Sequence, residues 1–267
     1  MKAWISTGII AAAITLTLFT TTWLPRLLQP QPSWQQLDSD SRFYFQPGLE
    51  NAAKQGARIW PTIVDQIEGE LSGPLFNRKS IRIYLLSDPA TYEALVGEST
   101  KQSSARQGDD VYVLLPTNAK EHQIYQAIKL QLAYMHFQQR FSALAFKTTI
   151  PAWYADGLAL HIADGGNEVA ATDKDAITWL NTLKRLSPDN SGTLLYRKTA
   201  EDYGLDQKMY NAQTRLFVNY LQQRNPNAFR TVMVDLHRGK SFQELWLAHY
   251  RQSLLQLWLD FLDSVKG

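Results

Sequence analysis

Two stretches decide how this chain reads: IYQAIKLQLAYMHFQQRF, residues 124–141, and IPAWYADGLALHIADG, residues 150–165. Their apolar residues recur at steps of three and four, which predicts one long helix over 124–141 and a second over 151–162. Working outward toward the C-terminus, the polar region 164–205 carries at most one helix, over 173–185. Tyr210–Gln223 places Leu216, Phe217, Tyr220 and Leu221 on one face of the next. Asn225-Pro226 then opens a helix to about Leu236, and Ser241 with Glu244 has the spacing of a capping box for the one after. Leu254, Leu255, Trp258 and Phe261 predict a closing helix.

Upstream the pattern changes. RFYF at 42–45, SIRIYLL at 80–86 and VYVLL at 111–115 read as strands. Pro47 opens a long helical run with Ala53, Ala57, Trp60, Ile67 and Leu71, stopped by Gly73-Pro74 and expected to kink at Pro61. Asp88-Pro89 turns into a short helix ending near Gly97. Strands early and helices late predict an α+β fold, with a small strand-containing lobe over 42–120 and a helical lobe over 121–267.

The segment Pro151-x-Trp153-x-x-Asp156-Gly157-Leu158-Ala159 resembles the Pro-x-Trp-x-x-Glu-Gly-Leu-Ala segment of zinc peptidases of the thermolysin-like gluzincin group, specifically their peptidase-MA-like members. The closing pattern is also similar to theirs: Tyr210 leading YNAQTRLFVNYL, then DLHRGKSFQELW and LLQLWLDFL. The resemblance covers roughly residues 42–267 and implies a gluzincin-like fold with Asp156 in the place of the third zinc ligand. It also sets Leu130, Gln131 and Tyr134 against the family's His-Glu-x-x-His helix, so both imidazoles and the general base are replaced. That family motif works because two histidines four apart share a helix face and hold one metal, with the Glu between them as base. A register ending at His136 restores one His but puts Leu132 and Ala133 where the other His and the Glu belong, so no register gives two ligands on this helix. A makeshift set of His136, Asp156 and His161 meets the objection that Asp156 and His161, five apart, point about 140° from one another. His122, His237 and His249 are isolated in sequence, and no metal or other cofactor is expected.

Tyr210 has two readings: an oxyanion-stabilising phenol, as related enzymes have at a comparable place, or a packed Tyr with its hydroxyl at the surface. The second is preferred. Trp153 is expected in the core. Asp156, carrying a charge inward without a metal, must find donors or protonate, and Tyr134 is the nearest candidate.

Composition bounds the rest. Of 267 residues, 45% are apolar, 12% aromatic and none is Cys, which excludes a disordered chain, a disulfide framework and any thiolate chemistry. Setting aside Lys2 and Arg26, the body carries 25 basic and 25 acidic residues, a balance that argues against nucleic acid as a partner. Residues 3–24, AWISTGIIAAAITLTLFTTTWL, are uncharged for 22 residues, about 33 Å as a helix, and read as a membrane segment. Its length and the absence of a small-x-small site at its end favour a retained signal anchor, residues 1–26, over a cleaved signal. Lys2 and the amino terminus keep that end cytoplasmic, so the domain is expected on the extracytoplasmic, periplasmic side. Residues 27–41, rich in Pro, Gln and Ser, read as a tether.

Together these readings predict a membrane-anchored pseudopeptidase that binds peptide or protein along an edge strand near Gln102–Arg106 or Val111–Leu115. An active zinc metallopeptidase with an unconventional site, or a structural envelope protein, are the alternatives.

Overall fold

The computed structural model describes residues 33–266 apart from 76, 98–101, 167–170, 183, 191 and 194–195. The expected membrane segment 3–24 lies outside the described residues, and among those described no helix is long and apolar enough to cross a membrane.

The fold is α+β. Strands β1 (Gln35–Gln36), β2 (Phe43–Phe45), β3 (Arg82–Leu86), β4 (Ser104–Gln107) and β5 (Asp110–Leu114) form one sheet in the order β1-β2-β3-β5-β4. The central three are parallel, while β1 and β4 run antiparallel at the edges. Phe43, Phe45, Ile83, Leu85, Val111 and Val113 alternate onto one buried face, as the two-residue period of a strand requires.

Helix α1 (Glu50–Glu70) connects β2 to β3 and continues through Pro61, burying Ala53, Trp60, Ile63, Val64 and Ile67. Gly56 gives it access to β2: a Cβ there would lie 2.6 Å from the Phe43 ring. Helix α2 (Pro89–Val96) is capped by Asp88, whose carboxylate accepts from the Ala90 and Thr91 amides. Helix α3 (Glu121–Gln138) is buried over most of its circumference, Lys129, Gln131 and His136 included, because α1, the sheet and α5 (Ala152–Ile162) all pack on it. Short α4 (Ala143–Thr149) joins α3 to α5. The helical part continues with α6 (Asp173–Leu180), a 3-10 turn at Glu201–Tyr203, α7 (Gln207–Arg224), α8 (Pro226–His237), α9 (Phe242–Tyr250) and α10 (Leu254–Ser264).

Four expectations need correction. Residues 34–41 are not free tether: β1 pairs with Phe45 and Tyr44, and Leu37 is buried, so the fold starts inside the stretch read as linker. Val111–Leu115 is not an edge, because β4 covers β5 on its outer side. The 173–185 helix stops at Leu180. Ser241 caps α9 without its hydroxyl, through a backbone turn from the Glu244 amide to the Ser241 carbonyl.

Candidate functional site

Helices α3, α5 and α7 meet around one carboxylate. Helix α5 reaches α7 at Gly157, where a Cβ would lie 2.6 Å from the Thr214 carbonyl oxygen; only a residue without a side chain allows so close an approach. Asp156, next to Gly157 in the chain, lies between Tyr134 and Tyr210. Tyr134 on α3 donates to its Oδ1 at 2.7 Å, and Tyr210 on α7 donates to its Oδ2 at 2.7 Å. Arg197 completes the ring through an ion pair from its Nη2 to Oδ1. The carboxylate is thus held by two phenols and a guanidinium, with its side chain 17% exposed.

Burial by itself would lower the Arg197 pKa, but the facing charge of Asp156, with Tyr134 and Tyr210, leaves it raised, so the cation is fixed. Tyr210 is pushed well above the ordinary phenol value by burial and then by Asp156, and it stays a neutral donor. Tyr203 stacks on Tyr210 at 5.4 Å and is raised by burial and by Asp189, to which its hydroxyl donates at 2.9 Å.

Arg197 comes from the irregular segment between α6 and α7, and that segment is fastened in several places. Trp153 Nε1 donates to the Asp189 carbonyl at 3.0 Å, Lys198 pairs with the Asp189 carboxylate at 2.8 Å, and the Leu186 amide donates to Gln213 at 2.7 Å. The Arg197 guanidinium also lies over the Phe146 ring at 5.6 Å. Sequence reasoning missed Arg197. Nothing local marks it, since it lies 41 residues from Asp156 in a stretch with no periodicity.

Of the residues singled out in the sequence, the structure joins Tyr134, Asp156 and Tyr210. The preferred reading of Tyr210 is corrected in one respect: its ring is packed, but its hydroxyl is turned inward to Asp156 and only 1% of the residue is exposed. Leu130 lies one turn from Tyr134 and packs where a Cβ on Gly166 would sit, 2.5 Å from its Cδ2. Gln131 faces the sheet and donates to the Ser104 hydroxyl at 2.9 Å. His136 points to another part of the molecule, with Nε2 2.7 Å from the Gly73 carbonyl oxygen, and His161 binds Gln222 on α7 at 2.6 Å. The makeshift set of His136, Asp156 and His161 therefore has each member on separate partners.

Could Asp156 hold zinc here? Its neighbours are two phenols, of which Tyr210 is held well above the ordinary phenol pKa, and a guanidinium, which offer no imidazole or second carboxylate. Among the described residues no three His, Asp or Glu side chains converge as a metal site. The donor set does not fit zinc.

Edge strand β4 is partly covered. The Leu114 amide donates to the Ser103 carbonyl, so alternate residues turn their backbone groups to β5 and those of Ser104 and Arg106 point away from it. Ser104 has no exposed surface, whereas Ser103 and Arg106 are half-buried and Gln107 is exposed. Compared with known proteins, the chain matches no family model and no curated protein.

Proposed function

We propose that this protein is a membrane-anchored, extracytoplasmic peptidase-like domain that binds peptide or protein without cleaving it. One observation carries the reading. Asp156, which the resemblance puts in a zinc ligand's place, is engaged on both oxygens by Tyr134 and Tyr210 and paired with Arg197. The guanidinium supplies beside the carboxylate the positive charge that a metal would otherwise supply, and it does so with fixed hydrogen-bond geometry. The amide of Gln131 cannot take a proton from water, and it is committed to Ser104. A peptide would meet the free edge of β4 at Arg106, whose backbone groups point away from β5 and which is half-buried.

The test is metal analysis and proteolysis on the purified full chain. The expected result is zinc below about 0.1 per chain and no chelator-sensitive cleavage of unfolded protein substrates. Stoichiometric zinc with cleavage abolished by a chelator would overturn the reading in favour of an active metallopeptidase.

A further inference from the structure

The sheet face opposite the core carries a row of aromatic rings. Tyr44, Tyr84 and Tyr112 stand directly opposite one another on β2, β3 and β5. Their rings stack at 5.0 Å spacings, and Trp34 packs edge-on against the central ring, Tyr84, also at 5.0 Å. All four residues are half-buried. Stacking covers the ring faces, so the row shows solvent its edges and phenol oxygens: apolar bodies with polar tips. Helix α2 covers one end of this face, its Tyr92 clustering with Leu86 and Ala105, and leaves Leu95 and Val96 half-buried. At the other end Arg82 is paired with Asp110 at 2.6 Å, and Asp109 accepts from Ser80.

Where the chain enters the fold bears directly on this face. Trp34 is part of the row, and only residues 25–33 separate it from the uncharged run 3–24. Nine residues reach at most about 30 Å.

We propose that the Trp34–Tyr44–Tyr84–Tyr112 face lies in the lipid headgroup layer beside the N-terminal segment, so that the domain is held against the bilayer by its sheet. The inference rests on the reading of residues 3–24 as a membrane span. Tyr and Trp partition to the headgroup region because ring and hydroxyl are satisfied at once there, which neither hydrocarbon nor bulk water provides. Arg42 and Arg82 beside the row are paired with Asp40 and Asp110, so the contact is taken to rest on the rings and not on anionic lipid.

The lack of native cysteine makes the test direct. Gln36→Cys, at the end of the row, and Leu247→Cys, an exposed position on α9, are each labelled with a fluorophore in the full chain. The two proteins are reconstituted in phosphatidylcholine vesicles containing a lipid with a nitroxide on its headgroup. Quenching at position 36 is expected to exceed that at 247 by about threefold or more, and Tyr44→Ser with Tyr84→Ser is expected to reduce it. Flotation with the vesicles but equal quenching at the two positions overturns the docked face while leaving the anchor intact. Failure to float overturns the anchor, and the proposal with it. Quenching that requires phosphatidylglycerol and vanishes in high salt also overturns it, because charge attraction would then hold the domain instead of the tyrosine row.

Discussion

Gln131 donates its amide to the hydroxyl of Ser104 at 2.9 Å, joining the middle of α3 to the edge strand with both partners buried. The residue that the peptidase resemblance sets against a general base is therefore part of the core. Gln131→Glu is expected to give no peptidase activity. It should cost about 1–3 kcal/mol at neutral pH, because a buried carboxylate replaces a satisfied amide. Thermal unfolding at pH 5 and pH 7 checks this: the deficit should shrink at the lower pH, where the carboxyl protonates more readily.

Removing the Asp156 carboxylate leaves Tyr134, Tyr210 and Arg197 without their shared acceptor. Asp156→Ala should destabilise by about 2–4 kcal/mol and Tyr210→Phe by about 1 kcal/mol. In a double-mutant cycle of Tyr210→Phe with Asp156→Asn, measured by denaturant unfolding, the two effects should fail to add.

Gly157 and Gly69 are both helical glycines, but they sit in opposite surroundings. A Cβ at 157 would meet the Thr214 backbone at 2.6 Å, whereas at 69 it meets nothing within 4 Å. Gly157→Ala should therefore separate α5 from α7 and cost about 2–4 kcal/mol, while Gly69→Ala should stabilise α1 by about 0.5–1 kcal/mol. Unfolding midpoints of the two variants should move in opposite directions.

Acid should weaken the fold through His237. Burial, then Arg140 and His136, lower its pKa from 6.5 to about 4, and His136 is lowered as well, chiefly by burial. Between these values the unfolded chain binds the proton and the folded chain does not. Stability is thus fully present above pH 6.5 and is lost as pH falls toward 4. The His237 contribution should be about 2 kcal/mol, allowing for the ring's partial exposure. His237→Gln should flatten the stability profile in that window, as followed by urea unfolding.

Much of the architecture is legible in the residue order because it rests on periodicity. The stripe Ala53, Trp60, Ile67 of α1 and the residues Leu254, Trp258, Phe261 of α10 bury as spaced, whereas Leu255, read as part of the same stripe, is 66% exposed and Leu257 is buried instead. The two edge strands carry no such signal. Strand β4 is SARQ, polar in composition; the edge strand expected near Gln102–Arg106 comes from the peptidase resemblance and not from periodicity, and β4 forms because β5 pairs with it and α3 covers Ser104. Strand β1 is Gln35–Gln36 and depends wholly on its pairing with β2. At the site, Asp156, Tyr134 and Tyr210 could be found because each lies on a readable helix. Arg197 could not, since its place is set by the fastening of residues 186, 189 and 198 to distant partners.

The two-residue length of β1 has a mechanical consequence. Any pull on the chain ahead of Trp34 is borne first by the pairing of Gln35 and Gln36 with β2 and by the Trp34–Tyr84 ring contact. These give way before the parallel centre of the sheet feels the load. The corner where the polypeptide enters is built to peel, and the carboxylate ring of Asp156, set among α3, α5 and α7, is insulated from strain arriving there.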